Sequence, residues 1–202
     1  RRSSDLYAVS FTDHLQTSTF HAELTLATQL RATVEQTVRS PQSVHIENVR
    51  VIQAVTEYLP VLAGVYNSLL MDTVVERHEL VFPWRSALGR NAKYTLRGIT
   101  AELCAMHMLL GMALANEAAV VVEALGLYEL DTSLDTATRR QNDERLKIAA
   151  DLLCRAAGVF DYVAVELLPK WESDVPRPPE LTRDVATALV RLSMADAHHL
   201  AV

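Results

Sequence analysis

The sequence predicts a mainly all-α domain of long antiparallel helices, arranged like the helix pairs of tetratricopeptide proteins, with a small N-terminal β-sheet. Half of the 202 residues are hydrophobic, which is enough to bury the core of one domain spanning residues 1–202. Only six glycines occur, whereas sheet-rich folds need many turn residues. Apolar residues recur at spacings of three and four over most of the chain, which is the periodicity of amphipathic helices.

The first elements are a short strand and a helix. Residues 6–11 alternate loosely between apolar and polar, which predicts a strand. Ser18 or Thr19 can cap the helix that follows, and Ser40-Pro41 ends it. Its predicted buried face is Phe20, Leu24, Ala27, Arg31, Val34 and Val38.

A second helix begins after Ser43 and forms an antiparallel hairpin with the first, because the link between them is short. Pro60 lies inside the pattern and is expected to kink the helix, since proline removes a hydrogen bond. The predicted face is Ile52, Val55, Leu59, Leu62, Tyr66 and Leu69.

The helical rhythm breaks between Met71 and Leu96. Residues 81–85 and 92–96 are predicted to be two short strands around a turn at Gly89, which the N-terminal strand could join. This is the predicted small sheet.

Three further helices complete the five main ones. Residues 97–125 are apolar nearly all round, but Glu117 and Glu123 would be costly in lipid, so a central core helix is predicted instead of a membrane span. Residues 138–171 form the next helix, with a face of Leu146, Leu153, Phe160, Val163 and Leu167. Residues 179–202 form the last, with a face of Leu181, Val185, Leu189, Leu192 and Leu200. Because this face stays apolar to Val202, we expect the native protein to continue beyond it.

The chain carries few signs of catalysis or of ligand binding. The net charge of −6 and the interspersed charges exclude the basic stripe that a nucleic-acid surface needs. Nucleotide, zinc and serine-hydrolase motifs are missing, and Asp196 with His199 is too small a set for a metal. We therefore expect no cofactor and no metal. Cys104 and Cys154 lie among apolar residues and are expected to be reduced and buried.

Four segments resemble the BRO domain shared by Alix and the yeast Bro proteins, in the order that the family has them. They are VFPWRSAL at 81–88, NDERLKIAA at 142–150, AAGVFDY at 156–162, and PELT at 179–182 with LSMADA at 192–197. Within that family, EYLP at 57–60, YTLRGITAEL at 94–103 and ADAHHLAV at 195–202 are similar to the fungal pH-response regulators.

The resemblance implies a curved helical scaffold without enzymatic activity. It implies an adaptor that binds the C-terminal amphipathic helix of the main ESCRT-III filament subunit, with a plasma-membrane pH-sensor complex as a second candidate partner. The expected location is the cytoplasm, with recruitment to the plasma membrane or to endosomes. Asp143 and Lys147 match the family residues at the filament-subunit groove, and Leu146 lies between them. The family's apolar anchors lie largely in helices beyond residue 202.

Two other functions remain open from the sequence. One is an unrelated helical-repeat scaffold that binds extended peptides, which would not need strands around Trp84. The other is a small helical enzyme, which would need polar groups converging in a pocket. For Asp143 and Lys147, the simplest alternative to a partner site is a surface ion pair between residues one helical turn apart.

Overall fold

In the part of the chain that the structure describes, five long helices follow one another, with short strands before the third of them. In the computed structural model, which describes residues 9–39, 44–90 and 92–201, helices and strands occupy these ranges: α1 (Phe11–His14), β1 (Leu15–Gln16), α2 (His21–Arg39), α3 (Val44–Leu70), β2 (Val75–Glu76), β3 (Val81–Arg85), β4 (Lys93–Arg97), α4 (Ile99–Leu125), α5 (Thr136–Tyr162) and α6 (Arg183–Ala201). Each long helix packs on the next, so α4 lies between α3 and α5. The mainly all-α class with a small β component is confirmed.

The hairpin around Trp84 has the predicted strands. β3 pairs antiparallel with β4, and Phe82 lies opposite Leu96. Both of these side chains are buried in the main core, whereas their neighbours along the strands point outward.

The predicted N-terminal strand is wrong where the structure describes it. Residues 6–8 lie outside the described ranges, and Phe11 begins α1 instead of ending a strand. The Asp13 amide bonds the Ser10 carbonyl at 3.3 Å and closes a helical turn. The next segment, β1, pairs with β2 in a separate two-stranded sheet and does not join the hairpin.

α3 continues through Pro60, but it is rotated relative to its predicted face. Val51, Tyr58 and Val65 are buried, whereas Leu59 and Tyr66 are only half-buried. The Tyr58 hydroxyl lies 3.5 Å from the Glu102 carboxylate, so the helix turns this tyrosine inward. The predicted cap Ser43 lies outside the described ranges.

A buried ion pair joins α2 to α4. Arg31 Nε donates to Glu102 Oε1 at 2.8 Å, and Arg31 also reaches Glu35 at 2.9 Å. Burial raises the pKa of the Glu102 carboxyl, and the charge and hydrogen bond of Arg31 oppose this shift. The side chain of Glu102 is 1% exposed, so its charge is compensated almost entirely by Arg31.

By length and composition, α4 is the one helix in the described part of the chain that could cross a membrane. Here it packs between α3 and α5, and its side chains from Ile99 to Ala118 supply much of the core. Gly111 lets α5 approach closely, because a Cβ at this position would lie 2.5 Å from the Phe160 ring. The helix is therefore the predicted central core helix.

α5 extends beyond Tyr162 as a π-helical turn, Val163–Leu167, and a 3-10 turn, Leu168–Lys170, which matches the predicted range to residue 171. A 3-10 turn at Pro179–Leu181 then precedes α6. The α6 face is partly different from the prediction: Leu192 is 57% exposed, and Ser193 is buried. α6 buries three small residues, Ala186, Ser193 and Ala197. Their small size permits α6 to pack closely on α5.

Glu180 fastens the segment before α6 to the β3–β4 hairpin. Its Oε1 accepts hydrogen bonds from Trp84 Nε1 at 2.8 Å and from the Ala87 amide at 3.1 Å. Its Oε2 accepts from Ser86 Oγ at 2.7 Å. Because Glu180 and Ser86 are fully buried, the bond between them satisfies groups that water cannot reach.

Candidate docking surface

The candidate site lies on the first turns of α5, which begin with a well-formed cap. Asp135 accepts hydrogen bonds from the amides of Ala137 at 2.8 Å and Thr138 at 2.9 Å. A carboxylate at this position accepts hydrogen bonds from the free amides of the first turn, and its negative charge interacts favourably with the positive end of the helix dipole. The cap therefore fixes where α5 starts and which side chains its outer face presents.

Asp143 is held by a residue that the sequence analysis did not single out. The Tyr128 hydroxyl donates to Asp143 Oδ1 at 2.7 Å, and the Tyr128 ring is buried. Tyr128 belongs to the turn between α4 and α5, so this bond joins the turn to the helix. One carboxylate oxygen of the exposed Asp143 is engaged in this way.

Lys147 pairs with Glu144 and not with Asp143. Lys147 Nζ lies 2.6 Å from Glu144 Oε1, and both side chains are exposed. The hydrogen bond and the charge of Glu144 raise the pKa of the Lys147 ammonium, with a smaller contribution from Asp143. The simple alternative of a mutual Asp143–Lys147 ion pair is therefore wrong, although both residues lie on the outer side of α5.

Leu146 lies between these charged residues in the sequence and is half-buried. The adjoining turn and helix expose further apolar side chains: Leu127 is 79% exposed, Leu130 is 75% exposed and Ile148 is 57% exposed. Sequence reasoning missed the two leucines because loop residues carry no periodicity. The surface thus combines charged and apolar groups, which is the composition that a partner's amphipathic helix requires.

The predicted burial of both cysteines is half right. Cys104 is buried in α4, whereas Cys154 is exposed on α5. Lys147 and Cys154 are seven residues apart, about two helical turns, so both lie on the outer face of α5. The apolar neighbours of Cys154 in sequence, Leu152 and Leu153, point inward and leave the thiol outside.

We expect a maleimide to modify one thiol of the native protein, that of Cys154. Burial raises the pKa of the Cys104 thiol to about 12, so almost no thiolate is available at neutral pH. Mass spectrometry of the labelled protein measures the outcome, and Cys154→Ser is the control that should remain unmodified. Rapid labelling of Cys104 in the folded protein would contradict the buried position.

Other polar residues that could serve a site are not gathered into one in the ranges that the structure describes. His107 is half-buried in α4: its Nδ1 lies 2.8 Å from the Leu103 carbonyl, and its ring is 5.1 Å from that of Tyr162. Within the described residues, no group of three or more His, Cys, Asp and Glu side chains could hold a metal ion. Asp196 and His199 are exposed at the end of α6.

Comparison with known proteins agrees with the resemblance of the sequence. A family model described as "BRO1-like domain" matches residues 8–202. The "pH-response regulator protein palC" of Cryptococcus neoformans var. neoformans serotype D (strain B-3501A) is 28% identical over 178 residues. That match covers 75% of this chain and 35% of the relative, so the chain spans about a third of the relative's length. No solved structure matches. Since the family model covers nearly all of the sequence, the chain belongs to the BRO1-like domain family.

Proposed function

We propose that this chain is a non-enzymatic adaptor that binds the C-terminal amphipathic helix of the main ESCRT-III filament subunit through the outer face of α5. The observation that carries the proposal is the family match over residues 8–202, because BRO1-like domains are protein-interaction modules. Similarity to the palC regulator supports a role in fungal ambient-pH signalling. Residues 1–202 would then form a single BRO-type domain.

The geometry of α5 supports this site. Asp143 is oriented by Tyr128, while Lys147 extends from the same outer surface with Leu146 beside it. A partner helix lying across α5 would meet a fixed carboxylate and an ammonium group, and its apolar residues could contact Leu127 and Leu130. Fixed charges at such a surface mainly set specificity and the rate of encounter.

The strands around Trp84 favour this function over an unrelated helical-repeat scaffold. A BRO domain requires this segment to be paired in a sheet, and β3 pairs with β4 over five residue pairs. In this proposal the protein acts in the cytoplasm and is recruited to the plasma membrane or to endosomes, where a pH-sensor complex is a second candidate partner.

Lys147→Glu is expected to weaken binding of the filament-subunit helix about tenfold, equivalent to ~1.4 kcal/mol. The substitution reverses an exposed charge and places it beside Glu144, so the ion pair with that residue is lost. Folding should barely change, because exposed pairs contribute about 0–1 kcal/mol. A fluorescence anisotropy titration of the labelled helix with the full-length protein measures the affinity.

Lys170→Glu is the matched control for this titration. Lys170 forms a similarly exposed pair with Glu166, at 3.5 Å. It lies in the 3-10 turn that follows α5, far along the chain from Lys147. The net charge changes equally in both variants, so only a local contact distinguishes them. Equal affinities for the two variants at low and moderate salt would remove Lys147 from the docking surface.

A further inference from the structure

An apolar groove of about 320 Å³ runs between α2 and α3. Residues from the start of α2 face residues from the second half of α3, as in an antiparallel pair. This α2–α3 groove is lined mainly by Phe20, Leu24, Val61, Gly64, Val65 and Val74. It is separate from the docking surface on α5, because α4 lies between α3 and α5.

The floor of the groove is open to an incoming side chain. A Cβ at Gly64 would have no neighbouring atom within 4 Å, and Pro60, one turn earlier, is exposed. Leu26 on the opposite side is 42% exposed, although it is a large apolar residue. The groove therefore presents apolar surface that nothing in the described part of the chain covers.

Carboxylates flank this apolar surface. Glu23 lines the groove from α2, and Glu57 precedes Val61 by four residues and Gly64 by seven, so it lies on the same face of α3. Both are exposed, and within the described ranges neither forms an ion pair; Glu57 accepts only a hydrogen bond from Gln53, at 3.0 Å. An occupant with cations beside its apolar residues would complement these charges.

We propose that the α2–α3 groove is a second docking site, which takes a short basic amphipathic helix of a protein partner. The stretch of α3 from Pro60 to Ser68 is roughly 12 Å long, which matches two turns of a helix with apolar anchors at positions i, i+3 or i+4, and i+7. A second copy of this chain fits poorly, because a symmetric contact would bring two acidic rims together. A small ligand would need several convergent polar groups, whereas Glu23 and Ser68 are the polar side chains of this groove.

A synthetic peptide of about fifteen residues tests the site, with leucines at the anchor positions and lysines beside them. A second peptide carries glutamates in place of the lysines. Titration by fluorescence anisotropy should show saturable binding of the basic peptide to the full chain, and binding of the acidic peptide at least about tenfold weaker. Glu57→Lys should weaken binding of the basic peptide and reduce its dependence on salt.

Gly64→Leu is the decisive variant. Its side chain would fill the open floor, so affinity for the basic peptide should fall about tenfold or more. The substitution should not unfold the protein, because leucine has a higher intrinsic helix propensity than glycine and this helical position is exposed. The melting temperature should therefore be unchanged or higher, which separates loss of the site from loss of the fold.

Gly158→Leu is the matched control. Gly158 is also helical and exposed, and a Cβ there also meets no atom within 4 Å, but it lies on α5. The proposal predicts that Gly64→Leu weakens peptide binding and that Gly158→Leu does not. The proposal is overturned if the wild type fails to bind the basic peptide, if Gly64→Leu binds normally, or if Gly158→Leu has the larger effect. It is equally overturned if Gly64→Leu dissociates a dimer in analytical ultracentrifugation, since the occupant is then a second copy.

Discussion

Arg31→Met is expected to lower the free energy of unfolding by about 3–5 kcal/mol, the usual loss when one partner of a buried ion pair is removed. Arg31 is 6% exposed and compensates the carboxylate of Glu102, which is buried in α4. Without Arg31, the nearest remaining donor to Glu102 is the Tyr58 hydroxyl, at a long 3.5 Å. The carboxyl would have to accept a proton or remain charged in the core, and either state destabilises the fold. Urea denaturation measures the loss.

Arg39→Met and a double variant provide the controls for this result. Arg39 lies on the same helix and pairs with Glu35, but its side chain is 52% exposed, so its loss should cost less than about 1 kcal/mol. Arg31→Met combined with Glu102→Leu should be more stable than Arg31→Met alone, because the unpaired carboxyl is then absent. Fully additive losses would contradict the coupling between the two charges.

Glu180→Ala is expected to destabilise the fold by about 3 kcal/mol or more, because three donors lose their acceptor at once, and of these Ser86 is fully buried and Trp84 half-buried. The donors are Trp84 Nε1, Ser86 Oγ and the Ala87 amide. Hydrogen exchange of the Ala87 amide should accelerate together with the loss of stability, since the hairpin is released from the segment before α6. Denaturation followed by tryptophan fluorescence measures the global effect.

Glu180→Gln separates the hydrogen bonds from the charge. The amide oxygen can still accept from Trp84 and Ala87, so this variant should lose less stability than Glu180→Ala. Glu172→Ala, at an exposed position, should change stability by no more than about 0.5 kcal/mol. If Glu180→Ala is as stable as Glu172→Ala, the hydrogen bonds from the hairpin to Glu180 contribute nothing to the free energy of unfolding.

Local pattern was enough to predict the elements that depend on neighbouring residues. The break in helical rhythm located the β3–β4 hairpin, and the uninterrupted apolar run located α4 as the central helix. Both signals come from residues close in sequence, whose periodicity reflects burial directly. The rotation of α3 was not predictable in this way, because Tyr58 is drawn inward by Glu102, 44 positions away.

The long-range polar contacts could not be predicted from the sequence. Glu102 and Glu180 look like ordinary helical and turn residues, yet their donors lie between 44 and 96 positions away. In the candidate site, the placement of Asp143 and Lys147 on the outer side of α5 followed from the resemblance and from helical spacing. Their actual partners, Tyr128 and Glu144, depend on how the α4–α5 turn folds and on side-chain rotamers.

The most direct test of the docking surface uses Cys154 as a reporter on the outer face of α5. The exposed thiol lies about two turns from Lys147, while Cys104 is buried and unreactive. A helix of the ESCRT-III filament subunit docked across α5 should slow maleimide modification of Cys154 about tenfold at saturation. Lys147→Glu, with its affinity lowered about tenfold, should raise the modification rate severalfold at the same peptide concentration. An unchanged modification rate in wild-type protein that anisotropy shows to be saturated with the helix would place the partner elsewhere and contradict the proposed site.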